Sequence, residues 1–218
     1  MNGGPGISNR GFGLLRQFAE RKTPRERCEL CSTPLWSEHP HLVELTNRKL
    51  VCACDACGLL FSGQSGARYK RVSRRFLSIP GFRLTDAQWD DLSIPIGLAF
   101  FFTNSLLRKV VSQYPSPAGA TESLLSLGAW NEIATTNPVI CEMADDVEAL
   151  LVNRVGYARG TSPAECYILP IDHCYRLVGI IRMYWRGFSG GSEVWQQIAD
   201  FFADLRHKST VVGEAYHA

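Results

Sequence analysis

The chain is 218 residues long, 45% apolar and 20% charged, with a formal net charge of +2. That balance supplies a core and excludes disorder, collagen-like repeats and coiled coil as the main architecture. The strongest apolar run, residues 94–102, is far shorter than the roughly 20 residues of a membrane helix. The opening MNGGPGISNRGFGLLRQ carries no secretory pattern, so a cytoplasmic chain with no membrane span is expected.

In chain order, residues 1–24 read as a Gly- and Asn-rich start and a short helix bearing Phe12, Leu14, Leu15 and Phe18, ended by Thr23-Pro24. Residues 25–66 hold the cysteine-rich stretch. The run SGQSGARYKRVSRR reads as a linker leading into an edge strand, which puts the boundary near Gly66. From 67 to 208 an α+β domain on antiparallel strands is expected, and 209–218 read as a tail. Thr85 is a candidate N-cap for a helix carrying Trp89 and Leu92. Residues 96–102 and 110–114 suit strands, and YPSPAGATES after them suits a turn-rich break. That stretch lacks the lysine of a phosphate loop. Residues 125–135 suit a helix, and 147–155 stay open between the two states. Strands are expected at 166–169 and 175–184, split by PIDHC. The spacing of Val194, Trp195, Ile198, Phe201, Phe202 and Leu205 predicts a helix over 192–207, capped by Ser189 or Ser192.

Five of the eight cysteines form C-x2-C, a gap of 20 residues, then C-x-C-x2-C. Two residues between thiolates let the chain turn back and aim both sulfurs at one ion. Cys28 and Cys31 with Cys54 and Cys57 therefore make a tetrahedral set of soft ligands, suited to structural Zn2+. Iron or an iron–sulfur cluster is the alternative, since four thiolates hold those as well. Cys52 is the odd member: a core-packing residue, an alternative or fifth ligand in a cluster, or a reactive thiol. Between the two pairs, His39 and His41 share a face of an extended strand and are further candidates for a metal or a base. Asp172, His173 and Cys174 are expected to diverge on a strand, and no catalytic set emerges. Cys141, Cys166 and Cys174 are expected to be buried packing residues.

Charge divides along the chain. Residues 1–75 hold 13 basic and 6 acidic residues, and the rest hold 10 and 15. A basic head on an acidic body is fit to meet nucleic acid, an acidic protein surface, or its own body. Arg25, Arg27, Arg48, Lys49, Arg68, Lys70, Arg71, Arg74 and Arg75 are the cations such a binder would use, but aromatics among them are few. Nucleic acid is therefore not the expected partner.

The arrangement CELC, a histidine, Asn47, then CDAC resembles a treble-clef zinc module of the HNH nuclease kind over residues 28–57. GLLF follows Cys57 and no later histidine completes a nuclease metal site. A wider set of blocks (CELCSTPL, EHPHLVEL, RKLVCACDACGLLF, IPIGLAFFF, YPSPAGATES, DVEALLVNR, PIDHCYRLVG and WRGFSGGSEVW) is similar to an uncharacterised bacterial family whose genes accompany [NiFe] uptake hydrogenase clusters. The resemblance implies a metal-binding accessory protein for [NiFe]-hydrogenase maturation. Its partner would be a hydrogenase subunit or another maturation factor. A rubredoxin-like or iron–sulfur electron carrier and a zinc-dependent nucleic-acid binder are the alternatives.

Overall fold

The computed structural model describes residues 26–63, 66–123, 127–157, 160 and 163–212. The helix expected around Phe12 to Phe18 lies outside them. The described chain is mixed helix and sheet, with a three-stranded sheet near its start and a seven-stranded sheet after it.

The small sheet has the order β2-β1-β3, from β1 (His41–Glu44), β2 (Leu50–Cys52) and β3 (Tyr69–Arg71), all antiparallel. Its hairpin turn is fixed by Asn47, whose Nδ2 donates to Glu44 Oε2 at 2.9 Å while its Oδ1 accepts from the Lys49 N–H at 2.9 Å. Arg48 completes the turn at φ 61°. Helix α1 (Asp55–Leu60) follows β2 directly. Because β3 pairs with β1, the small sheet runs past Gly66 to Arg71. The edge strand expected at the end of this stretch is Tyr69–Arg71, and it belongs to the small sheet.

The large sheet has the order β10-β4-β9-β8-β5-β6-β7. Its strands are β4 (Leu77–Ser78), β5 (Leu98–Asn104), β6 (Lys109–Ser116), β7 (Gly119–Ser123), β8 (Glu148–Asn153), β9 (Glu165–Pro170) and β10 (Thr210–Val211). All neighbours are antiparallel except β10 on β4. Both faces are covered. Leu98, Phe100, Phe102, Ala149, Leu151, Tyr167 and Leu169 face one core, while Ala99, Phe101, Leu150, Val152, Cys166 and Ile168 face the other. Burial on both sides explains why these strands read as unbroken apolar runs.

The second core is closed by α2 (Asp86–Asp91), α3 (Leu127–Thr136) and a 3-10 turn, Pro138–Glu142. Thr85 caps α2 in a full capping box with Gln88. The first core is closed by α4 (Ile171–Tyr184) and α5 (Gly191–Lys208). Val43 and Val72 reach the same core from the small sheet, so the two sheets share packing.

Four expectations are corrected. Residues 175–184 are helix, because Ile171, Cys174, Leu177, Val178 and Ile181 form one buried stripe at helical spacing. PIDHC is therefore the passage from β9 into α4. YPSPAGATES lies mostly within β6 and β7, leaving Pro117-Ala118 as a two-residue turn. Helix α5 starts from Gly190 at φ 86° with no side-chain cap, so neither Ser189 nor Ser192 caps it. Cys141 is exposed, whereas Cys166 and Cys174 are buried as expected. Residues 147–155, open in sequence, hold β8, and residues 210–211 of the expected tail hold β10. Among the described residues, no helix is long and apolar enough to cross a membrane.

Candidate metal centre

Each cysteine pair sits in a turn that aims its sulfurs. At the first, the Cys28 N–H donates to Thr33 O at 2.9 Å and the Ser32 N–H to Cys28 O at 2.8 Å, with Ser32 at φ 63°. The turn is fastened to β2 through Glu29. Its N–H donates to Cys52 O at 2.9 Å, and its Oε1 accepts from the Cys52 N–H at 3.0 Å. At the second pair, Cys54 is the N-cap of α1 and its sulfur accepts from the Cys57 N–H at 3.5 Å.

The four sulfurs of Cys28, Cys31, Cys54 and Cys57 lie within 4.8 Å of one another, and all four cysteines are free thiols. Cys31 and Cys54 sulfurs are 3.7 Å apart, far beyond a disulfide bond of about 2.05 Å. A tetrahedral ion with metal–sulfur bonds of about 2.3 Å has sulfur–sulfur edges of about 3.8 Å. The four thiols could therefore hold one metal ion, with no position of a tetrahedron left over.

The thiols differ in their acidity. Cys31 is drawn down to about 6, first by its hydrogen bond with the Thr33 hydroxyl, 3.3 Å away, and then by the Thr33 backbone. Burial pushes Cys57 up to about 12, with the neighbouring sulfurs adding to it. Burial also opposes ionisation of Cys28, but backbone N–H groups of Cys54, Cys31 and Leu30 bring it below its ordinary value. An ion bound here displaces protons from the thiols that remain protonated.

His39, His41 and Cys52 stand apart from this set and form a group of their own, with ligand atoms within 4.8 Å of one another. His41 and Cys52 are directly opposed across the hairpin. His41 Nδ1 lies 2.8 Å from Asp172 Oδ2, and His173 Nδ1 lies 3.0 Å from the other oxygen. Asp172 and His173 thus meet at the first turn of α4, while Cys174 is buried in the core. Burial opposes ionisation of Asp172, yet the hydrogen bonds from both histidines hold its carboxyl well below the usual range. Sequence spacing could not reveal Asp172 as a partner of His41, because 131 residues separate them.

Of the eight basic residues described between positions 26 and 75, six are matched to carboxylates. Arg48 Nη1 and Lys70 Nζ reach the two oxygens of Asp146 at 3.3 and 3.0 Å. Arg75 grips Glu148 in a fork, Nε to Oε1 at 3.0 Å and Nη2 to Oε2 at 2.7 Å. Lys49 pairs with Glu29, Arg68 with Glu44 and Arg71 with Asp55. The guanidinium of Arg48 also lies over the Phe102 ring at 4.0 Å.

Residues 27–209 match the model of a family described as a family of unknown function (DUF5947). No curated protein matches the chain. No solved structure matches it either.

Proposed function

The chain belongs to the family of unknown function DUF5947, and from its geometry we propose that it is a metal-binding accessory protein working through protein–protein contacts. Cys28, Cys31, Cys54 and Cys57 would hold a structural Zn2+. The single observation carrying this is the closed sulfur set, all within 4.8 Å. Four protein ligands leave no site for substrate or water, which is the signature of a structural ion rather than a catalytic one. The order of a cysteine turn, a hairpin and a helix bearing the second cysteine pair supports a treble-clef reading of this part.

Two observations favour a protein partner over nucleic acid. Six of the nine candidate cations are already matched to carboxylates of the chain itself, which removes them from phosphate neutralisation. Trp36, at 84% exposure, and Leu59, Leu60 and Phe61 leave apolar side chains in solvent on the cysteine-rich part. The resemblance of its sequence blocks to a family whose genes accompany [NiFe] uptake hydrogenase clusters favours a hydrogenase subunit or another maturation factor as that partner.

The test is metal analysis of the purified chain, joined to a tagged pull-down from cells expressing the hydrogenase. The expected result is a colourless protein that retains zinc on dialysis and captures an identified hydrogenase subunit or maturation factor. Iron with visible absorbance would instead make the chain an electron carrier. Capture of nucleic acid with a steep salt dependence would overturn the protein-partner reading.

A further inference from the structure

We propose that His39, His41 and Cys52 form a second metal site, distinct from the four-thiolate centre, taking a divalent ion of the Zn2+ and Co2+ class with one coordination position left open. The hairpin creates it. His41 and Cys52 are Cα partners across β1 and β2, and the His39 and His41 rings lie 4.8 Å apart between centroids at 64°. A ring nitrogen of each histidine and the Cys52 sulfur lie within 4.8 Å of one another. An ion with bonds of about 2.0–2.3 Å would draw these three atoms closer together.

The hydrogen bonds of the two rings fix which nitrogens are on offer. Trp36 O is an acceptor 2.9 Å from His39 Nδ1, and the Asp172 carboxylate is an acceptor 2.8 Å from His41 Nδ1. Both Nδ1 atoms therefore carry the proton and both Nε2 atoms keep a lone pair. A carbonyl or carboxylate behind the ring is how ligating histidines are oriented and made more basic. His39 supplies the independent sign. Its side chain is only 6% exposed, and its Nε2 is buried without any hydrogen-bond partner. An enclosed acceptor with no donor costs free energy that a bound cation would offset.

Two imidazoles and a thiolate suit zinc-like ions, and three protein ligands leave the fourth position to water or an external ligand. A nucleophilic arrangement of Cys52, His41 and Asp172 uses the same atoms but leaves the His39 lone pair unexplained. Because Asp172 comes from α4, the site draws on both sheets' elements. In this scheme Asp172 is a positioning residue.

The test titrates Co2+ into the full chain with its four-thiolate centre already loaded. A second ion should bind, more weakly than the first, with a thiolate-to-cobalt charge-transfer band. His39→Gln and Cys52→Ser should each abolish the second ion while keeping the first, whose retention reports that the fold is intact. Asp172→Asn should weaken the second ion by about 10–100-fold and leave the first unchanged. An arm needing no variant reads alkylation of Cys52 by iodoacetamide through peptide mass spectrometry. Protection that appears only with the second equivalent supports the site. A native chain that stops at one ion, a Cys52→Ser chain that still binds two, or Cys52 that alkylates equally with and without the second ion would each overturn it. Loss of the first ion with the second retained would sink the structural-zinc reading alone.

Discussion

At the scale of single residues, the four cysteines are the most local signal in the chain. A two-residue spacing dictates a tight turn, and backbone N–H groups then face the sulfurs, as the Cys57 N–H faces Cys54. Loss of one ligand should therefore be severe. Metal binding in comparable small modules is worth on the order of 10 kcal/mol. Cys28→Ser and Cys57→Ser are expected to release the ion and unfold the cysteine-rich part, measured by metal mass spectrometry and by far-UV circular dichroism. One ion per chain retained in both variants would mean that other residues ligate it. Cys28 and Cys57 are the two buried members, so no solvent ligand can readily replace their sulfurs. The histidines were also visible in sequence as a pair, but the hydrogen bond from His41 to Asp172 was not. It depends on where α4 begins, and local spacing carries no information about that.

At the scale of elements, legibility followed the length of the repeat. The 18-residue helix α5 declares its face over several turns, and the capping box of α2 is written in Thr85 and Gln88. The residues of helix α4 suit a strand when Tyr, Val and Ile are weighed one by one, because each favours strands. Its stripe of Ile171, Cys174, Leu177, Val178 and Ile181 carried the helical period throughout. The packing of α4 on the large sheet makes spacing prevail over residue type. The start of α5 was hidden for a different reason. Gly190 enters at φ 86°, and a Cβ there would lie 2.8 Å from Val194 Cγ1 and 3.2 Å from the Trp185 ring. Gly190→Ala should therefore destabilise by about 1–3 kcal/mol, combining positive-φ strain with overpacking. Denaturant unfolding would measure it, and a midpoint equal to that of the native chain would refute the strain.

At the scale of the whole molecule, part of the charge division is met internally among the described residues. Asp146 takes Arg48 and Lys70, and Glu148 takes Arg75 and Ser73, so the acidic body holds the basic head. Burial opposes ionisation of Asp146, but hydrogen bonds from Ser105 and then Lys70 leave its carboxyl below the ordinary value. Glu148 behaves alike, burial being outweighed by Arg75, the Ala144 N–H and Ser73. Carboxyls depressed on folding stabilise the native state fully above their unfolded values of about 3.9 and 4.3. That stability is lost as pH falls through the folded values. Acidification from about pH 6 to about pH 3 should thus lower the thermal midpoint, and Asp146→Asn and Glu148→Gln should each flatten that slope. At neutral pH, Glu148→Gln should cost about 1–3 kcal/mol, since it weakens a charged fork while Arg75 remains partly solvated. A native pH profile with the same slope as both variants would place the acid sensitivity elsewhere.

Strand β3 bears on how the gene can be divided. Its residues, 69–71, lie beyond the glycine-rich stretch where a cloning boundary would naturally be drawn, yet they complete the sheet on the flank of β1 opposite β2. A fragment cut at residue 66 would leave β1 with a raw edge of unpaired amides and would strip Val43 of its cover from the large sheet. Such a truncated piece is expected to self-associate when expressed, and size-exclusion chromatography would reveal it.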